Sequence, residues 1–176
     1  PEDKAGLAGL THGLLDTGAG ELDEEKIADR LADIGARLGG SVDQDRASIS
    51  LRSLSSARER EAALELMRLV LQQPMFPAAA LEREKARSIA GIREADTRPG
   101  SIAAKRFAAA LYPGHPYGRL PTVESVEKIT RDDLLAAASS LEQFAADVDG
   151  TVLASVKLAK GNLSTLNADD FGTARK

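Results

Sequence analysis

The chain lacks cysteine and tryptophan, and aromatic residues make up only 3% of its 176 positions. Without cysteine it can form neither a disulfide bond nor a thiolate metal site. Its core must therefore be built mainly from leucine, isoleucine, valine and alanine. So few aromatic rings argue against a base-stacking platform, and a net charge of -4 with no basic stripe argues against nucleic acid as a partner.

Long hydrophobic runs are also missing. No apolar stretch approaches the length of a membrane-spanning helix, and no signal peptide precedes the first helical pattern. The chain starts at Pro1 and enters a helical pattern almost at once, so we interpret it as an internal piece of a longer protein. A content of 43% hydrophobic and 28% charged residues is typical of a globular domain with a sizeable core.

Hydrophobic spacing predicts an α+β fold, with helices packed on one face of an antiparallel sheet. Alternating apolar and polar residues predict a hairpin between residues 41–43 and 47–51, and a further strand is expected at 151–158 before a loose tail. The predicted helices span residues 6–17, 24–38 with a stop at Gly39-Gly40, 56–72, 77–96 and 101–111, followed by a helical turn at 122–128 and a helix from about 131.

Several stretches match one known family in their order and spacing, although each stretch alone is a weak signal. They include Lys4-Ala5-Gly6-Leu7-Ala8, Leu14-Leu15-Asp16-Thr17-Gly18, Pro74-Met75-Phe76-Pro77 and Tyr112-Pro113-Gly114-His115-Pro116-Tyr117-Gly118. Taken together, from about residue 4 to residue 135, they resemble the M16 zinc peptidases, the group of insulinase, pitrilysin and mitochondrial processing peptidase.

The resemblance implies a peptidase half-domain whose first strands are missing. Residues 1–137 are expected to form the M16-like N-terminal domain fragment, and residues 138–176 a poorly matched continuation of it. Active members of the family bind zinc through the two histidines of His-x-x-Glu-His and through a glutamate on a later helix. The glutamate of that motif acts as the general base.

The residues at those places cannot perform this chemistry. The two histidines correspond to Gly9 and Gly13, the general base to His12, and the distal glutamate to Gly91, or to Ala90 if the register slips by one. Glycine side chains supply no lone pair for zinc, which needs about three protein ligands. We therefore expect no catalytic residue, cofactor or metal in this chain, and zinc only in an active partner subunit.

Two questions about individual residues stay open at this point. His12 could be a surviving base or a single metal ligand, but a hydrogen-bonded or solvent-facing helix residue is the favoured interpretation. Gly9 and Gly13 could allow close packing of their helix against another backbone. Alternatively, they could be the result of neutral substitution after the metal ligands were lost. His115 has no acidic or histidine neighbour in sequence to support a metal site, and Tyr117 is expected to pack against its own loop.

The resemblance implies a non-catalytic subunit or domain that forms part of the chamber and holds peptide for a zinc-bearing homologue in a heterodimer. The alternative is a structural assembly protein of the same fold, similar to the core subunits of a respiratory complex. Bacterial members of the family often occupy the periplasm, so a periplasmic location is expected, with the cytoplasm left open.

Overall fold

The computed structural model describes residues 3–147, and their side chains as far as residue 139. Residues 3–139 lie within one compact unit. The predicted strand at 151–158 and the loose tail lie outside the described residues. In chain order the elements are α1 (Leu7–Gly13), β1 (Gly18–Ala19), β2 (Leu22–Asp23), α2 (Glu24–Asp33), β3 (Arg37–Val42), β4 (Ala47–Arg52), α3 (Ala57–Gln72), α4 (Ala78–Ala95), α5 (Pro99–Leu111), α6 (Val123–Glu127) and α7 (Arg131–Asp147).

The predicted hairpin is confirmed, and its first strand is longer than expected. Strands β3 and β4 pair antiparallel, with Leu38 opposite Leu51 and Gly40 opposite Ile49. The turn is closed by Asp43, whose carboxylate accepts the backbone N–H groups of Asp45 and Arg46, both at 2.8 Å. A short polar side chain that bonds its own backbone two residues on is a common way to build such a turn.

Helix α2 ends earlier than predicted, so the expected continuation to Leu38 and the stop at Gly39-Gly40 are wrong. The helix stops at Asp33 because Gly35 takes the left-handed conformation, with φ of 60°. The N–H of Gly35 then bonds the carbonyl of Ala32, and the N–H of Ala36 bonds the carbonyl of Leu31. This pair of bonds is the Schellman arrangement that ends many helices. Gly39 and Gly40 therefore lie in β3.

Helix α1 is also shorter than the predicted span of residues 6–17. It ends at Gly13, and the chain continues as a 3₁₀ turn over Leu15–Thr17. The hydroxyl of Thr17 donates to the carbonyl of Leu14 at 2.7 Å, which holds this tighter turn. Two glycines within seven residues weaken the α-helix, because glycine loses more backbone freedom than any other residue.

The other helices lie within two residues of their predicted bounds. Side chains cap three helices of the chain, and the sequence predicts two of these caps, Asp23 and Thr130, but not the one at α6. Asp23 accepts the backbone N–H of Lys26 at the start of α2. Thr122 and Ser125 form a reciprocal capping box at α6. Thr130 begins α7 in the same manner, since its hydroxyl accepts the backbone N–H of Asp133.

Helices cover one face of the hairpin, as predicted for the α+β class. Leu38 and Ile49 lie on that face, are partly buried, and pack against the main hydrophobic cluster. Helices α1, α2 and α3 contact the hairpin. The cluster is aliphatic apart from one ring and consists of Leu10, Leu14, Leu15, Ala19, Leu22, Ile27, Leu66, Val70, Phe76, Ala80, Leu81, Val126, Ile129, Leu134 and Ala138.

Asp133 ties the start of α7 to the N-terminal segment. Its carboxylate accepts the backbone N–H of Thr130 at 2.8 Å and the Thr130 hydroxyl at 2.7 Å, and it forms an ion pair with Lys4 at 2.6 Å. The Lys4 ammonium, followed by the two Thr130 donors, lowers the pKa of Asp133 from 3.8 to about 2. The stabilisation that the carboxylate provides is therefore complete above about pH 4 and is lost as the pH falls through about 2.

We expect Asp133→Asn to lower the free energy of unfolding at pH 7 by about 1–2 kcal/mol, because it weakens both the cap and the ion pair. Urea denaturation measured from pH 7 down to pH 2 should show the difference between variant and wild type shrinking towards acid. The matched control is Asp132→Asn in the same helical turn, which should change stability by less than about 0.5 kcal/mol. Equal effects of the two variants would contradict the assigned role of Asp133.

Candidate functional site

The three glycines at the family's ligand positions lie in open space. Gly9 and Gly13 are exposed on α1, Gly91 is exposed on α4, and these two helices contact each other. Apart from the backbone of its own helix, a Cβ atom placed on any of the three would meet no atom of the described residues within 4 Å. The hypothesis that these glycines permit close packing against another backbone is therefore wrong for this part of the chain.

His12 is held against the hairpin. Its Nε2 atom lies 3.0 Å from the backbone carbonyl oxygen of Ser48 in β4. Since a carbonyl oxygen can only accept, Nε2 must carry the hydrogen and donate it. The favoured interpretation of His12 as a hydrogen-bonded helix residue agrees with this contact. The nitrogen facing the hairpin has no lone pair available for a metal ion or for a proton from water.

Gly40 makes room for this contact. A Cβ atom on Gly40 would lie 2.0 Å from the Ser48 carbonyl oxygen and 2.5 Å from Nε2 of His12. Distances this short are not compatible with any side chain, so the imidazole and the carbonyl occupy the space that a side chain at this position would fill. Sequence reasoning missed Gly40 and Ser48. The available signal was a glycine inside a strand, which often marks a close backbone approach.

The residues present do not fit a zinc ion. Among residues 3–147, no group of three or more histidine, cysteine, aspartate or glutamate side chains is arranged to hold a metal. Glu94, one turn beyond Gly91, forms an ion pair with Arg98 near the end of α4. A zinc site needs converging nitrogen, oxygen or sulfur ligands, and here the only such side chain at the family positions, His12, donates to Ser48.

His115 belongs to a small aromatic cluster on the loop after α5. Its ring centroid lies 4.7 Å from that of Tyr117 and 6.0 Å from that of Tyr112. Nδ1 of His115 accepts the backbone N–H of Tyr117, and the Tyr117 hydroxyl donates to the Asp45 carboxylate, which raises the pKa of Tyr117. The expected packing of Tyr117 against its own loop is observed, and the ring also reaches the hairpin turn.

No family model and no curated protein sequence matches the chain. Solved structures do match. The peptidase M16 inactive domain from Pseudomonas fluorescens is 35% identical, with a TM-score of 0.72 over 76% of this chain and 33% of that chain. A protease from Helicobacter pylori is 18% identical, with a TM-score of 0.67 over 78% of this chain and 33% of that chain. The periplasmic protease PqqL from Escherichia coli is 17% identical, with a TM-score of 0.66 over 78% of this chain and 15% of that chain.

These matches define an M16-type fold, and the Pseudomonas fluorescens structure extends the likeness from fold to sequence. The chain belongs to the M16 peptidase family as a member that lacks the His-x-x-Glu-His residues, which confirms the resemblance seen in the sequence. It spans about a third of the length of the first two structures. Along the part of the chain that is described, no helix is both long and apolar enough to cross a membrane.

Proposed function

We propose that this chain is a non-catalytic part of an M16-type peptidase, which forms one section of the chamber and helps to hold an extended peptide for a zinc-bearing partner. The proposal depends on the residues that occupy the family's zinc-ligand and general-base positions. Gly9, Gly13 and Gly91 offer no ligand and lie open, while His12 donates its Nε2 hydrogen to Ser48. The M16-type fold is kept, while Gly9, Gly13 and Gly91, all within the described part of the chain, carry none of the family's zinc ligands.

The details of the site favour a maintained scaffold over a damaged enzyme. A buried aliphatic cluster supports α1 from one side, with Leu10 and Leu14 at 4% and 2% exposure. On the other side, the His12 bond fixes α1 to the hairpin. Because α1 is fixed on both sides, the face that carries Gly9 and Gly13 exposes backbone without side chains. Such a surface can border a peptide, whereas catalysis must come from another chain.

The partner of the proposal is a zinc-bearing M16 homologue, and the peptide is its substrate. The similar Pseudomonas fluorescens structure is described as an inactive domain, which supports a non-catalytic role here. We also propose a periplasmic location, which is supported by the likeness to PqqL, described as a periplasmic protease. Separation of periplasmic from cytoplasmic contents, followed by detection of the natural protein, tests the location.

The test of the function measures zinc content and peptide cleavage for the full-length protein, alone and with the zinc-bearing homologue from the same organism. We expect far less than one zinc per chain and no cleavage for the protein alone. With the homologue we expect a stable complex whose cleavage is abolished by a chelator. His12→Ala should leave cleavage by the complex intact, because His12 has no chemical role.

Two results would overturn the proposal. The first is stoichiometric zinc with chelator-sensitive cleavage by the protein alone, which would make it an independent enzyme. The second is a natural protein that associates with respiratory subunits and not with a zinc-bearing homologue. That outcome would support the alternative of a structural assembly protein of the same fold.

A further inference from the structure

Two arginines lie directly opposite each other at the open end of the hairpin. Arg37 begins β3, Arg52 ends β4, and the two are partners in the register of the strands. Residues that are directly opposite in an antiparallel pair project from the same face, with Cβ atoms about 4.5–5.5 Å apart. Both side chains are exposed. Arg37 and Arg52 can therefore reach the same group outside the hairpin.

The two arginines lie on the outer face of the hairpin, which is the face that the helices leave uncovered. Ser41 and Ser48 lie on the same face, and their hydroxyl oxygens are 2.9 Å apart. Gly39 and Ser50 occupy the positions between these serines and the arginines. From the arginines to the serine pair, this face carries no side chain larger than that of serine. An extended segment could lie along it and reach both guanidinium groups.

The two guanidinium groups have no partner within the described part of the chain, since neither side chain takes part in a hydrogen bond or an ion pair there. The two aspartates of the hairpin lie in its turn, about 20 Å away along the strands. There Asp43 pairs with Arg46, and Asp45 accepts the Tyr117 hydroxyl. Like charges placed directly opposite in a sheet are destabilising, and unfavourable arrangements of this kind are expected at functional sites.

We propose that Arg37 and Arg52 together bind the carboxylate of an aspartate or glutamate side chain in the peptide that this chain holds. This inference rests on the proposed function and names a feature of the substrate. A guanidinium group presents its N–H donors in a planar fork that matches the two oxygens of a carboxylate. A carboxylate placed between the two groups would also offset their mutual repulsion. The peptide that lies along the outer face is therefore expected to carry an acidic residue at this end.

The test uses a short peptide, blocked at both ends, in which glutamate alternates with threonine. Alternate side chains of an extended chain lie on one face, so the carboxylates can face the hairpin in any register. The reference peptide has glutamine in place of glutamate. Isothermal titration calorimetry with the full-length protein should show about tenfold tighter binding of the glutamate peptide, because hydrogen bonds to charged groups are the stronger ones. Arg37→Gln/Arg52→Gln should remove this difference.

The matched control is Arg93→Gln/Arg106→Gln, which removes the same charge from two exposed arginines outside the hairpin. This variant should keep the preference for glutamate. Loss of the preference in the control as well would show attraction to net charge alone, which contradicts a site at the arginine pair. The peptide-free Arg37→Gln/Arg52→Gln variant should melt at an unchanged or slightly higher temperature, since it removes a pair of like charges. A clear fall would show that the protein's own carboxylates occupy the pair, and the inference would be wrong.

The failure of this inference can be told apart from the failure of the proposed function. Equal binding of the two peptides by the wild type overturns the acidic preference alone. Tight binding of the glutamine peptide only when its C-terminal carboxylate is free would assign the arginines to a chain end, which also overturns it. The proposed function is judged separately, by zinc content and by cleavage with the zinc-bearing homologue. A preference for glutamate in a protein that neither associates with the homologue nor supports cleavage would overturn the proposed function and leave a peptide site without that role.

Discussion

Gly40→Ala is expected to destabilise the protein by about 3 kcal/mol, a large part of the stability of an ordinary domain. The added Cβ would lie 2.0 Å from the Ser48 carbonyl oxygen and 2.5 Å from Nε2 of His12. The carbonyl belongs to the strand paired with β3, so it can move only if the hairpin is distorted. The hydrogen bond that joins α1 to β4 would be lost as the imidazole is displaced, and this loss adds about 1 kcal/mol.

The neighbouring glycine provides the matched control. A Cβ on Gly39 would meet only the Ser50 hydroxyl oxygen, at 3.7 Å, which is an ordinary contact. Gly39→Ala should therefore change the free energy of unfolding by less than about 0.5 kcal/mol, or raise it slightly. Urea denaturation followed by circular dichroism measures both variants. Similar values for the two would mean that Gly40 is not sterically required.

A second measurement identifies the cause. Nitrogen-15 correlation spectra of the imidazole in the wild type should show a hydrogen on Nε2 of His12, because the Ser48 carbonyl oxygen accepts from that atom. In Gly40→Ala this signature should disappear. Adding His12→Ala to Gly40→Ala should not rescue stability, since the 2.0 Å contact with the carbonyl oxygen remains. Full rescue would show that the imidazole alone, and not the backbone, makes glycine necessary.

The local features of the fold were predictable because they depend on nearby residues. Asp23 and Thr130 cap their helices as expected, since a cap is a contact across three residues. The hairpin followed from the alternation of apolar and polar residues over 47–51, although Asp43, which was predicted in the first strand, closes the turn. The end of α2 was not predictable from spacing alone, because Ile34 and Leu38 fit a helical period even though Leu38 lies in β3. Gly35 and Gly40 are both glycines near that boundary, and only φ shows which one ends the helix.

The candidate site was predictable as a set of missing ligands, because glycine at three ligand positions is visible in the sequence. The contacts that the replacing residues make were not predictable from the sequence. His12 and Ser48 are 36 residues apart in the chain, so their contact depends on how α1 packs on the hairpin. The pair of Arg37 and Arg52 was missed for a related reason. Spacing places Arg37 in the predicted helix 24–38, and only the register of the hairpin brings it opposite Arg52.

Replacing Gly9, Gly13 and Gly91 together by alanine should raise the free energy of unfolding by about 2 kcal/mol, and the melting temperature by about 4–8 °C. All three have ordinary helical backbone, since none is among the glycines with positive φ. Apart from the backbone of their own helices, the new methyl groups meet nothing within 4 Å among the described residues. Alanine therefore restricts the unfolded chain without straining the folded one. The gain should come mainly from Gly9 and Gly91, because Gly13 is the last residue of α1.

Gly35→Ala is the control that separates open space from backbone strain. Gly35 has φ of 60°, and its Cβ would approach Leu54 Cδ1 at 3.2 Å. The same substitution should therefore destabilise the protein here, by about 1 kcal/mol or more. If the triple variant is stabilised and still supports cleavage by the zinc-bearing homologue, the glycines mark ligands that were lost without replacement. No gain in stability would instead show that these positions are packed against parts of the protein beyond the described residues, and the open glycine face would not exist in the complete molecule.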